Sequence, residues 1–189
     1  IKNLYADKPN ELLHVDQRIA FAASSVGFFI IKGHKEGRKV GSVARKKMLK
    51  VFDIPLKEQR YLWKKNFAPE NSNLYRGLFP LISSPAKNRQ GFEIGPDIAR
   101  NHDSYDTTDV LQERTPLPKP DHIPGDWIST CKNYYLSMEN IGKKLLCSIS
   151  RSLGISQSIF LDAFDKGIST LRLLNYPMHL GDDYIEDKH

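Results

Sequence analysis

Two short His-x-acid patterns are the first candidates for metal chemistry, His14-Val15-Asp16 and His34-Lys35-Glu36. Two histidines and one carboxylate can hold Fe(II) on one face and leave positions open for small ligands. His14 and Asp16 fall in a predicted helix, where residues two apart differ in direction by about 200° and cannot grip one ion. His34 and Glu36 follow a predicted strand and are geometrically possible, but no third ligand accompanies them in a recognisable motif.

The end of the sequence gathers a second set of candidate ligands. Imidazole and carboxylate groups stand at His179, Asp182, Asp183, Glu186, Asp187 and His189. Such a segment could bind a divalent ion loosely, but its charge density favours a solvated acidic loop. Nucleophilic catalysis has no comparable basis, because the sequence contains no Gly-x-Ser-x-Gly elbow and no phosphate-binding glycine loop.

The two cysteines, Cys131 and Cys147, lie 16 positions apart on one predicted helix. A helix separates such positions by about 24 Å, far beyond the reach of a disulfide. Two unpaired thiols are typical of a reducing compartment, so we expect a cytoplasmic protein. No apolar run approaches the roughly 18 residues of a membrane span, and we expect no membrane partner.

The net charge of +6 is concentrated in residues 32–65, which hold twelve Lys and Arg against three acidic residues. One interpretation is a nucleic-acid-binding surface. The other is a set of solvated helix faces. The second is favoured, because stacking aromatics do not alternate with the basic residues and no nucleic-acid-binding motif is present.

The first two thirds of the chain predict helices, one strand and a long loop. Apolar spacing predicts helices over 11–23 and 38–52 and a short helix after Pro55. In the second helix the residues expected to face inward are Val40, Val43, Ala44, Met48 and Val51. Residues 27–31 read as a short buried strand that ends at Gly33. Residues 66–124 contain eight prolines and predict irregular structure, and long loops of this kind are often functional.

The last third contains the clearest helix, predicted over 127–153. Its apolar residues recur every three or four positions, at Trp127, Cys131, Tyr134, Met138, Ile141, Leu145, Ile149 and Leu153. Gly154 is expected to end it. A short helix over 156–164 and a strand over 169–176 follow. This late strand has no evident partner, so the sequence predicts that the strands it pairs with lie outside the chain.

Six phrases follow one another along the chain. They are SVGFFIIKGH (25–34), VFDIPLKE (51–58), YRGLFP (75–80), GFEIGPD (91–97), PLP (116–118) ahead of Trp127, and STLRLLNYP (169–177). In this order they resemble the isopenicillin N synthase-like family of non-haem Fe(II)- and 2-oxoglutarate-dependent dioxygenases. The first phrase departs from the family pattern, because Lys32-Gly33-His34 stands where Asn-His-Gly is usual.

The resemblance implies an α+β fold. An N-terminal helical layer precedes the first strands of a double-stranded β-helix, or jelly roll, which is expected to be incomplete in this chain. It divides the chain into an N-terminal region, 1–125, and a region 126–189 with the long helix and the start of the jelly-roll domain. It also implies that the chain is truncated before the family's His-x-Asp motif. His189 could be the first iron ligand, although the charged residues before it are unlike the expected lead-in.

The implied activity is that of an oxidoreductase. The resemblance implies Fe(II) and 2-oxoglutarate as cofactors, with their ligands beyond residue 189. It further implies molecular oxygen and a small organic molecule as partners. The substrate would be hydroxylated, desaturated or cyclised, and the 189 residues alone are expected to be inactive. A non-catalytic remnant that acts as a binding or scaffold module is the alternative, and a basic nucleic-acid-binding module is a weaker one.

Two residues in the matched phrases are candidate site residues. Arg76 could bind a substrate carboxylate through its planar guanidinium; alternatively, it braces a loop. Tyr176 could donate a hydrogen bond to the substrate or to 2-oxoglutarate; alternatively, it is a packed core tyrosine. No catalytic residue and no metal ligand is assigned within the chain.

Overall fold

The computed structural model of the chain describes residues 2–6, 8–81, 89–100, 109–165 and 167–177. In this part of the chain the helices are α1 (Pro9–Ser25), α2 (Ser42–Met48), α3 (Leu56–Gln59), α4 (Trp127–Leu153) and α5 (Ser158–Ala163). The strands are β1 (Gly77–Phe79), β2 (Gln90–Ile94) and β3 (Leu171–Asn175). Short 3-10 turns occur at Lys2–Tyr5, Leu49–Asp53, Arg60–Leu62, Pro96–Ile98, Val110–Gln112 and Pro120–His122.

Helix α4 is the central support, and its predicted bounds are confirmed. It ends at Gly154, whose φ of 67° is left-handed and is tolerated best by glycine. At its first residue the Trp127 indole donates to the Met48 carbonyl at 2.9 Å. Two predicted inward residues, Met138 and Leu153, are instead 43% and 63% exposed. A helix of 27 residues spans about 40 Å, more than a sheet of five-residue strands can cover.

The strands form one antiparallel sheet in the order β1-β2-β3. Side chains alternate along a strand, so Leu78, Phe92 and Leu173 all point to the face that packs on α4. The Phe92 and Trp127 ring centroids are 6.1 Å apart there. The fold of the described residues is therefore α+β, as the sequence predicts.

Two of these strands lie in the segment 66–124 that the sequence predicts to be irregular. The expectation that the late strand has no partner within the chain is also wrong, because β2 pairs with β3 over five residues. The sequence did not reveal β1 and β2, because three and five residues are too few to show the alternation of apolar and polar side chains that marks a strand. Side chains also order the loop around them, since the Glu113 carboxylate accepts the backbone N–H groups of 74, 75 and 76 at 2.8–3.1 Å.

The predicted buried strand over 27–31 is wrong. These residues belong to no strand, and Phe28 and Ile30 are 71% and 82% exposed. An apolar run becomes a strand only where a neighbouring backbone pairs with it, and within the described residues none does. Phe29 instead packs against a small second cluster built around Val15 and Ile19 of α1.

The predicted helix over 38–52 is shorter than expected. It comprises α2, which begins at Ser42, and the 3-10 turn that follows. Val40, Ala44, Met48 and Val51 are buried as predicted, but Val43 is 74% exposed because the helix presents only a narrow apolar face. The main core draws on both sides of the proposed boundary at 125/126, which stays a prediction. None of the helices in the described ranges is long and apolar enough to cross a membrane.

Candidate functional site

Arg76 is fully buried just before β1. Its Nη1 donates to the Thr170 hydroxyl at 2.5 Å, and its Nη2 donates to the Leu111 carbonyl at 2.8 Å. The guanidinium also lies 4.9 Å from the centroid of the Tyr75 ring. These contacts tie the loop before β1 to the segment that leads into β3, and they favour the bracing alternative. The substrate-binding role of Arg76 stays a prediction.

Tyr176 follows β3 by one residue and is 62% exposed. It is not packed in the core, so the alternative of a buried core tyrosine does not apply in the described part of the chain. Its exposed ring is free to contact a ligand, but nothing in the geometry identifies one. Its roles in binding the substrate and 2-oxoglutarate stay predictions.

Of the two candidate ligand pairs, His14 and Asp16 point in different directions. His14 is exposed, whereas Asp16 is buried and paired with Arg151, as expected for helix positions two apart. Glu36 accepts a hydrogen bond from the Ser137 hydroxyl and lies near Lys39. The tail ligands, including His179 and His189, lie outside the described residues. Within the described residues no three His, Cys, Asp or Glu side chains gather, so this part of the chain does not fit an Fe(II) site.

A cleft of about 390 Å³ opens on the sheet face turned away from α4. We call it the open-face cleft, and its charged lining residues are Lys64, Arg89, Glu93 and Arg172. The antiparallel register places Glu93 of β2 beside Arg172 of β3. Lys64 is positioned by the backbone, because its N–H donates to the Leu78 carbonyl of β1 at 2.9 Å.

Glu93 is the electrostatic centre of the open-face cleft. Its side chain is 1% exposed, and its two oxygens form ion pairs with Lys64 and Arg172. A buried carboxylate is tolerated only when such partners compensate for its lost hydration. The Lys64 ammonium also lies 5.4 Å from the centroids of the Tyr75 and Phe79 rings, an arrangement that further stabilises the cation.

Phe79 forms an apolar wall of the cleft, and Gly91 makes room for it. A Cβ atom at position 91 would lie 2.2 Å from Cζ of Phe79. Sequence reasoning missed this cleft entirely. The available signal was the pair of charged residues, Glu93 and Arg172, in otherwise apolar strand phrases.

A second cavity, of about 440 Å³, lies between α4, α5 and the start of β3. It is mainly apolar, and the Tyr135 phenol on its wall donates to the Ser169 carbonyl at 2.9 Å. Burial, with a smaller contribution from Glu139, raises the pKa of Tyr135 to about 12. This tyrosine therefore stays protonated at neutral pH and acts as a hydrogen-bond donor.

Two further features singled out in the sequence are the cysteines and the basic segment 32–65. Cys131 and Cys147 are both free thiols, and burial raises the pKa of Cys131 to about 12, so it is no thiolate nucleophile. In the basic segment 32–65, ion pairs join Lys47 to Asp126 and Arg60 to Glu70. These internal partners favour the interpretation of an ordinary charged surface over a nucleic-acid interface.

Known proteins with similar sequences are oxidases and oxygenases. Clavatol oxidase claD of Penicillium crustosum is 26% identical over 178 residues, covering 88% of this chain and 52% of its own length. The 2-oxoglutarate-Fe(II) type oxidoreductase hxnY of Emericella nidulans is 23% identical, with 88% and 48% covered. Gibberellin 20 oxidase 1 of Arabidopsis thaliana is 26% identical, with 94% and 45% covered. No protein-family model matches the chain.

Solved structures give the same fold. A full-length Neurospora crassa protein in complex with alpha-KG and 5-formyluracil superposes with a TM-score of 0.69 at 22% identity, over 93% of this chain and 50% of that one. A protein from Caulobacter crescentus superposes with a TM-score of 0.72 at 18% identity, over 93% of this chain and 55% of that one.

The relative hxnY is by name a 2-oxoglutarate-Fe(II) type oxidoreductase, and the similarities support a place for the chain in the superfamily of 2-oxoglutarate/Fe(II) oxygenases. Fe(II) and 2-oxoglutarate are the cofactors of the homologues. The chain spans about half the length of the curated relatives it matches.

Proposed function

We propose that this chain forms the helical layer and first sheet strands of an Fe(II)- and 2-oxoglutarate-dependent oxygenase of the isopenicillin N synthase-like group. The observation that carries the proposal is sequence similarity to oxygenase relatives over nearly the whole chain. Between 88% and 94% of its residues align with three curated oxidases and oxidoreductases. The β1-β2-β3 sheet on α4 belongs to a fold that superposes on oxygenase structures.

In this proposal the described residues supply the scaffold and part of the substrate site. Helix α4 supports one face of the sheet, and the open-face cleft lies on the other. Fe(II) and 2-oxoglutarate would supply the oxidising power when bound, while protein groups position the substrate and exclude water. The iron ligands are proposed to lie outside the described residues, and no reaction step is assigned to the residues within them.

The substrate is proposed to be a small organic molecule that is hydroxylated, desaturated or cyclised with molecular oxygen. The Neurospora crassa protein is solved with thymine and with 5-formyluracil, both small molecules. The cleft of about 390 Å³ is in the size range of small-molecule sites. Arg76 and Tyr176 do not line this cleft, so a contact between either residue and the substrate stays a separate proposal.

The test is an assay of succinate release by the whole natural polypeptide. The transcript on both sides of these residues gives the length of that polypeptide. The purified protein is loaded anaerobically with Fe(II), given 2-oxoglutarate and oxygen, and followed by NMR. We expect succinate formation that requires both Fe(II) and oxygen and stops when Zn(II) replaces Fe(II). A folded protein that binds no Fe(II) and makes no succinate would contradict the proposal and favour a non-catalytic binding or scaffold module.

A further inference from the structure

Three cationic side chains and one carboxylate line the open-face cleft, and two of the cations, Lys64 and Arg172, are paired with that carboxylate. Lys64, Arg89 and Arg172 line the cleft, and Glu93 is the acidic residue among the lining side chains. With all four groups ionised, the cleft carries an excess of two positive charges. A concave site with apolar walls strengthens the field of such an excess at its mouth. The charge balance therefore favours an anionic ligand.

From this balance we infer that the open-face cleft binds the carboxylate of a small organic acid that has an apolar body. The identification of that acid as the oxygenase substrate rests on the proposed function, whereas the binding itself does not. A carboxylate completes the charge balance because its two oxygens accept two parallel bonds from a guanidinium.

The three cationic side chains differ in burial: one is mostly buried and two are exposed. The Lys64 side chain is only 14% exposed and is fixed between Glu93 and two aromatic rings. The Arg172 side chain is 51% exposed, and Arg89 is also exposed. A guanidinium has five N–H donors, so the ion pair of Arg172 with Glu93 leaves donors for a second anion. Lys64 and Glu93 thus form the floor, and the two arginines face the ligand.

The side chains in the walls of the cleft indicate the nonpolar part of the ligand. Phe67, Leu74, Phe79 and Leu174 line the cleft beside the charged groups. Covering these side chains with an apolar ring or chain removes nonpolar surface from water and adds to the affinity. A bare inorganic anion would gain nothing from them. The expected ligand therefore combines one carboxylate with an apolar body that fits the cavity volume.

The test is calorimetric titration of the metal-free protein with phenylacetate as the probe. Phenylacetamide keeps the ring but has no charge, inorganic phosphate keeps the charge but has no apolar body, and 2-oxoglutarate represents the cosubstrate. We expect phenylacetate to bind more tightly than the other three. Arg89→Gln and Arg172→Gln should each weaken phenylacetate binding about tenfold, the loss of one charged hydrogen bond. Arg18→Gln, an equal charge change on exposed α1, should leave the affinity unchanged.

Two further variants separate a binding role from a structural one. Arg172→Lys keeps the charge that compensates Glu93, so it should fold normally but still bind phenylacetate less tightly because the planar fork is lost. Glu93→Gln releases both cations from their internal partner and should tighten phenylacetate binding. If the arginines only compensated the charge of Glu93, Glu93→Gln would not tighten phenylacetate binding.

Each other result counts against the inference. Equal affinity for phenylacetate and phenylacetamide would show that charge plays no part. Equal loss in Arg18→Gln would show a general charge effect. Phosphate binding as tight as phenylacetate binding would exclude the apolar body, and tighter 2-oxoglutarate binding, lost in the same variants, would assign the cleft to the cosubstrate. Succinate release is measured separately, so failure of the binding inference is distinguishable from failure of the proposed activity.

Discussion

Asp16 of α1 and Arg151 of α4 form a bidentate ion pair that joins the two helices. Nε of Arg151 donates to Oδ2 of Asp16 at 2.6 Å, and Nη2 donates to Oδ1 at 2.8 Å. The Ser148 hydroxyl donates to Oδ1 at 2.6 Å. Burial alone would raise the pKa of Asp16, but the hydrogen bonds from Arg151 and Ser148 together outweigh it and hold the pKa below its usual value. The pair is thus a net stabiliser of the ionised form.

Asp16→Asn should lower the free energy of unfolding by about 2–4 kcal/mol at neutral pH, because a partly buried arginine loses its counter-ion. A depressed carboxyl pKa stabilises the fold above the unfolded-state value of about 3.9 and ceases to do so as the pH falls through the lower folded value. Urea unfolding from pH 7 to pH 2 should therefore show the gap to wild type closing in acid. Asp162→Asn on exposed α5 is the control. A gap of constant size would contradict this account.

Ile141→Asp should destabilise the protein by several kcal/mol, because Ile141 is 2% exposed on α4 and an unpaired charge would be buried there. Ile128→Asp makes the same exchange on the same helix at a position that is 41% exposed, and it should change little. The melting temperatures of the two variants are compared by circular dichroism. Unchanged melting of Ile141→Asp would show that the buried face of α4 is wrongly identified.

Substitution by alanine should change the stability in opposite directions at two glycines, one within α4 and one at its C-terminal end. Gly154 has a φ of 67°, so Gly154→Ala should cost about 1–2 kcal/mol of backbone strain. Gly142 lies within the helix, and Gly142→Ala should gain about 1 kcal/mol of helix propensity. A Cβ at either position meets no atom within 4 Å, so packing contributes to neither change. Chemical denaturation of both variants measures the signs, and equal signs would refute the assignment of the helix end.

Arg76→Lys should lower the free energy of unfolding by about 2 kcal/mol, because a point charge cannot reach Thr170 and Leu111 together. Thr170→Val removes one of these acceptors at similar volume and should cost about half as much. Thermal melting of both single variants and the double variant gives their coupling. If the whole natural polypeptide has the proposed activity, an unchanged kcat/KM for Arg76→Lys would remove Arg76 from the substrate site.

A polypeptide of these 189 residues is expected to bind Fe(II) weakly and to release no succinate. A facial iron site needs three protein ligands, and His189 is the one residue of this chain in the region where the resemblance to the family expects a ligand. Anaerobic calorimetry with Mn(II), beside a succinate assay, measures both properties. Stoichiometric binding at micromolar affinity that His34→Ala or His189→Ala abolishes would overturn this expectation and place a site inside the chain.

The sequence by itself determined helix α4 and the position of strand β3. The bounds of α4 follow from apolar residues at every third or fourth position and from Gly154, since both signals act within a few residues. The late strand was likewise predicted, and β3 lies within it. The six matched phrases indicated the oxygenase superfamily that the relatives support. All of these features are encoded by neighbouring residues.

Tertiary structure alone decided which segments pair. Residues 27–31 have the composition of a strand and remain outside the sheet, whereas β1 and β2 lie in a loop rich in proline. The open-face cleft is the clearest case, because Lys64 and Glu93 are 29 residues apart and Arg172 comes from a third, distant segment. Only the antiparallel register brings these charges to one face. Such long-range pairing is selected by the stability of the whole sheet and core, which no local pattern records.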